Sequence, residues 1–129
     1  MREKIAYTIL RAGLGAVFLI FGIGKFQNDL WAQSIRHMEC FTKLPWDVNI
    51  SLMLIGTMEI ATGVCLIIGL FSRLFAALAA LELIGILILI NFQEMRDIGL
   101  LAAAIYLAIT KREAFGVDNF LPPLTKSLS

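Results

Sequence analysis

Two carboxylates, Glu59 and Glu82, and one guanidinium, Arg11, sit inside long apolar stretches of this sequence, and the phenol of Tyr106 lies in another. Ionisable groups at membrane depth are costly and usually face the interior of a helix bundle. Groups of these types can pair across helices, exchange a proton, or present a polar pocket to a lipid-soluble ligand. One arginine cannot neutralise two carboxylates. The second acid must therefore hold a proton or face water or a ligand.

Other chemistries are poorly supplied. His37 is the only histidine, which excludes a haem held by two histidines of this chain. Cys40 and Cys65 are the only cysteines, and they form no C-x-x-C dithiol. The expected topology places them near opposite faces of the membrane, so no disulfide within the chain is expected. His37 and Cys40 stand at i, i+3 in the first loop, but two ligands make a weak metal fragment and no metal site is expected. No covalently bound cofactor is expected either.

These polar groups need apolar elements to position them. Of the 129 residues, 59% are hydrophobic and only 16% charged, with mean hydropathy +0.83. An ordinary soluble domain is about 25% charged, so the composition indicates an integral membrane protein. The length suits a single domain, residues 1–129. A net charge of +1 gives no basic field for nucleic acid. Four segments, about 5–26, 48–71, 73–92 and 97–110, are long enough to cross or nearly cross a bilayer. In lipid they must be helices. The fold class expected is thus all-α, a polytopic four-helix antiparallel bundle. The first segment lacks an A-x-A-like cleavage site and reads as a mature span, not a signal peptide. Seven basic residues fall on the side of the two termini and four on the other. That asymmetry favours cytoplasmic termini, with residues 111–129 as a cytoplasmic tail.

The first loop, 28–47, is the one sizeable extramembrane piece. Trp31, Ile35 and Met38 fall at i, i+4 and i+7. The spacing predicts a short amphipathic helix on the outer surface, followed by a turn at Leu44-Pro45. It reads as an interfacial lid, or as a cap over a lipid-soluble ligand.

Each span carries a stripe of small residues with a polar group in it. The first has Arg11, Gly15, Phe18, Gly22 and Lys25. The second has Gly56, Glu59 and Gly63. The third has Ala79, Glu82 and Gly85, and the fourth Gly99, Ala103, Tyr106 and Thr110. These small residues predict close helix packing. Depths counted along the helices put Tyr106 and Arg11 shallowest, then Glu82, then Glu59. Arg11 is expected to reach Glu82 and, through it or water, approach Glu59. The set serves either as an Arg–Glu pair fixing helix packing or as a pocket for a quinone head group, a lipid or a proton. Lys25 is expected to snorkel to the outer interface. Asn91, Glu94, Arg96 and Asp97 join it in a solvated rim. Arg73 is expected to touch anionic head groups or to cap the second span.

The segments "RAGLGAVFLIFGIGKF" and "IGTMEIATGVCLIIGLFSRLFAAL" resemble the DoxX family of small four-helix membrane proteins. The first matches that family's opening arginine and closing G-x-x-K. The second matches its G-x-x-E and G-L-x-x-R pattern. "EAFGVDNFL" is similar to its C-terminal signature, with Gly116 where serine is usual and "TKRE" in place of a Gly-rich lead-in. The resemblance marks Arg11, Lys25, Glu59, Arg73 and Asp118. It implies a prokaryotic cytoplasmic-membrane protein, sometimes tied to respiratory redox chemistry such as quinone-linked sulfur oxidation. The expected role is an accessory membrane subunit of a redox complex, with the bilayer and other membrane subunits or further copies as partners and quinone as a possible ligand. The alternatives are a quinone-reducing subunit whose Glu59 or Glu82 moves protons, a small-solute or proton transporter, and a purely structural scaffold.

Overall fold

The computed structural model describes residues 1–27, 30–89, 96–110 and 115–120, without the side chains of Trp31 and Arg96. Among these residues the chain is helical throughout, with no strand. The elements are α1 (Arg2–Phe26), α2 (Leu30–Arg36), α3 (Glu39–Thr42), α4 (Val48–Ile68), α5 (Ser72–Leu89) and α6 (Arg96–Ile109), followed by a 3-10 turn at Val117–Phe120. Three of them, α1, α4 and α5, are long and apolar enough to cross a membrane. The shortest, α5, has 18 residues, or about 27 Å at 1.5 Å per residue. Helix α6 has 14 residues, about 21 Å. That is short of a hydrocarbon core of about 30 Å.

Local chemistry sets the helix ends. Asp47 opens α4 by accepting the Asn49 N–H at 3.1 Å, the usual N-cap arrangement. Gly69 closes α4 with φ 73°. The N–H groups of Gly69 and Leu70 both return to the Cys65 carbonyl, at 3.0 and 2.9 Å, a Schellman-type ending. The second span therefore stops at Ile68, not at 71, and Ser72 already belongs to α5. The expected continuation of the third span to 92, and most of the tail, lie outside the described residues.

The first loop departs further from expectation. It forms two short helices, because Met38 is extended (φ −72°, ψ 130°). The break leaves His37 in the turn after α2 and Cys40 on α3, so the shared helix face expected for them does not form. Ala32, on α2, is fully buried. At the far end, the Trp46 indole N–H donates to Ser51 Oγ at 2.8 Å. The lid is thus pinned at both ends. Trp46→Phe is expected to cost about 0.5–1.5 kcal/mol. It should speed amide exchange across 38–47 while helix content stays constant, as hydrogen-exchange measurement would show.

The core is made of Leu14, Phe18, Leu66, Ala76, Ala79, Leu83 and Leu107, among others. Helix α1 packs most extensively on α4, and α5 on α6. The α1–α4 crossing is glycine against glycine. A Cβ at Gly15 would lie 2.7 Å from the Gly63 carbonyl oxygen, and one at Gly22 would lie 2.8 Å from that of Gly56. Such spacing is possible only where side chains are missing. The order of these contacts shows the two helices running in opposite directions. The small residues of the other two stripes behave differently. Among the described residues nothing lies within 4 Å of a Cβ built at Gly85 or Gly99, so neither supports a close contact between the described helices.

Candidate functional site

The opposed directions of α1 and α4 decide which polar groups meet. With Gly22 on Gly56, the Lys25 stem lies beside Gly56, 3.3 Å from a Cβ built there. The Lys25 and Glu59 side chains, each leaning towards the start of its own helix, lean towards each other. The Lys25 ammonium contacts Glu59 Oε2 at 2.5 Å, with both side chains buried. Lysine was expected at the interface. It goes inward instead, because the glycine contact brings its stem against α4 and a carboxylate waits there. Glu59 is only 2% exposed, and an ion pair is the means by which a membrane interior retains charge.

Glu82 lies within electrostatic range of this pair. Thr62 Oγ1 donates to Glu82 Oε1 at 3.5 Å. The other oxygen, Oε2, is buried without a hydrogen-bond partner among the described residues. Glu59 and Glu82 are thus within electrostatic range of each other, but Arg11 is not with them. On α1, 14 residues separate Arg11 from Lys25, about 21 Å along the axis. Arg11 meets the opposite end of α4. Its guanidinium donates to Ser72 Oγ at 3.3 Å and to the Phe115 carbonyl. The expected Arg11–Glu82 pair is corrected by this geometry. Tyr106 is 42% exposed and does not line the cavity beside Glu59, so it is not part of the buried core expected for it.

A cavity of about 70 Å³ opens beside the Lys25–Glu59 pair. Phe18 and Phe21 of α1 form one wall and Leu83 of α5 another. Ile35, Met38 and Phe41 of the lid close it from above. Asp97, at the start of α6, also lines it and is buried. Asp97 is thus part of the cavity wall and not of a solvated rim; its place at a helix start carries no sign of burial. Around Lys25, Glu59 is the one partner among the described residues. An ammonium has three donors, so the cavity offers N–H groups to an acceptor. The arrangement suits a flat apolar ring bearing an oxygen acceptor, held between aromatic walls and an ammonium.

The second polar cluster gathers at the α4–α5 corner. The Asp118 carboxylate accepts from Phe71 N–H at 2.7 Å and Ser72 N–H at 3.2 Å through its two oxygens, and from Ser72 Oγ at 3.0 Å. The Asp118 N–H donates to the Gly69 carbonyl at 3.0 Å. Arg73, expected at head groups or at the end of α4, turns to α6 and donates through Nε to the Ala108 carbonyl at 3.1 Å. Tyr7 OH donates to the Leu107 carbonyl at 3.4 Å. No group of three or more His, Cys, Asp and Glu side chains able to hold a metal occurs among the described residues.

A family model described as DoxX matches residues 6–92. That span holds Arg11, Lys25, Glu59, Glu82 and Arg73, and stops short of Asp97, Tyr106 and Asp118. No curated protein and no solved structure matches the chain. The match covers well over half the chain and coincides with the three span-length helices. The chain is a small, lipid-contacting membrane protein that belongs to the DoxX family.

Proposed function

We propose that this chain is an accessory subunit of a membrane redox complex and that its cavity takes a lipid-soluble head group, a quinone or a lipid. The observation that carries this reading is the aromatic cavity with the Lys25–Glu59 pair at its polar end. A quinone carbonyl accepts hydrogen bonds, and Lys25 has donors to give. The apolar walls suit the ring, and the lid covers the side away from the α4–α5 corner. On this reading the protein crosses a prokaryotic cytoplasmic membrane as one domain of four antiparallel helices, with α6 tilted little and both termini cytoplasmic. Other membrane subunits, or further copies of the chain, cover part of its outer face.

The test uses the full chain in lipid nanodiscs, titrated with a short-tailed benzoquinone and followed by tryptophan fluorescence. Saturable binding is expected in the wild type. Met38→Trp, which fills the cavity from the lid, is expected to weaken it at least about tenfold, a change of about 1.4 kcal/mol. Equal quenching in both proteins would show simple partitioning into the bilayer and sink the ligand site. Robust quinone turnover by the isolated chain would instead remove the accessory role and favour a quinone-reducing subunit.

A further inference from the structure

The α4–α5 corner adds a side-chain hydroxyl and a buried guanidinium to the free amides of a helix start. The Phe71 and Ser72 amides and the Ser72 hydroxyl converge on one position, filled by the Asp118 carboxylate. Behind them stands Arg11, 2% exposed. Its described partners are neutral oxygens, those of Ser72 and Phe115. Its Nε has no partner among the described residues. Among the described residues the buried guanidinium is linked to the Asp118 carboxylate through the Ser72 hydroxyl. Helix α5, 18 residues long, adds the positive end of its dipole. Amides at a helix start, a hydroxyl and an arginine together make an oxyanion site.

We propose that this corner is a binding site for a carboxylate or phosphate oxyanion, and that the chain fills it with its own Asp118, carried on the displaceable turn 115–120. This inference is independent of the cavity. The oxyanion could be free in solution or be a lipid phosphate, since the corner lies at the end of two apolar helices.

Asp118→Ala empties the position without touching the donors. The variant is compared with wild type by thermal unfolding in phosphatidylcholine nanodiscs, with inorganic phosphate or chloride at equal ionic strength. A lowered melting temperature is expected, with most of the loss recovered in phosphate and none in chloride. Recovery should vanish in Ser72→Ala/Asp118→Ala. Discs containing phosphatidic acid separate the sources: recovery there without added phosphate identifies a lipid head group. No recovery in any arm, or equal recovery in the double variant, overturns the site. Should Asp118→Ala not survive extraction, the wild type decides. Phosphate, and not chloride, is then expected to speed amide exchange at Asp118, and unchanged exchange overturns the proposal.

Discussion

Lys25→Met is expected to destabilise the protein by about 3–5 kcal/mol, the usual cost of removing one member of a buried ion pair. The loss comes less from the attraction given up than from the carboxylate left behind. Glu59 is 2% exposed and sits midway along α4, so the loss of the ammonium leaves its charge buried. Glu59→Gln alone leaves Lys25 in the same position with an amide oxygen as acceptor, and a somewhat smaller loss is expected. Lys25→Met/Glu59→Gln should recover much of the damage, because the double variant removes both charges of the pair. A coupling energy of about 1–3 kcal/mol between the two positions follows for groups in direct contact. Unfolding of all four proteins in the same detergent, by urea or heat, gives the cycle. Additive losses would mean that the pair contributes nothing jointly, and the site would need another organising group. Glu82 would then be the first to examine, since it lies within range of both partners.

The sequence carried the elements of this pair without showing their meeting. Gly22-x-x-Lys25 on α1 and Gly56-x-x-Glu59 on α4 are the same small-then-charged motif read on facing helices. Helix identity was legible because apolar runs of that length have one solution in lipid. The close faces of α1 and α4 were legible because glycines recur at helical spacing. Relative direction and register were not. Depth counted from assumed helix ends placed Arg11 beside Glu82, while a lysine near a helix end suggested snorkelling. One crossing geometry reverses both conclusions. It sets Lys25 against Glu59 and Arg11 against Gly69, whose Cβ, if present, would strike the guanidinium at 2.7 Å. Asp118 was visible only as part of a family-like motif, since a contact 46 residues from Ser72 leaves no local periodicity. Asp97 was hidden for a similar reason: its burial depends on how α6 meets the cavity, which no pattern within α6 encodes.

That crossing makes the second large expectation a steric one. Gly63→Ala adds a single methyl, yet its Cβ would lie 2.6 Å from the Gly15 carbonyl oxygen and 2.7 Å from the Leu19 nitrogen. Both are backbone atoms of α1, so no rotamer change relieves the contact and the helices must separate. Overpacking of this kind costs about 1–3 kcal/mol, and separation also pulls the Lys25 stem away from α4. Gly85→Ala and Gly99→Ala are the controls. No described residue meets a Cβ at either position, and alanine is the better helix former by about 0.5–1 kcal/mol. They are expected to be neutral or stabilising in the same melt. All four glycines of the α1–α4 contact looked equivalent in sequence to these two, so the ranking tests the crossing itself. A Gly63→Ala protein as stable as Gly85→Ala would mean that α1 and α4 do not cross there. The register that places Lys25 on Glu59 would fall with it. If instead Gly63→Ala is destabilised and also loses benzoquinone binding, while Gly85→Ala keeps both, then the glycine crossing supports the cavity as well as the fold.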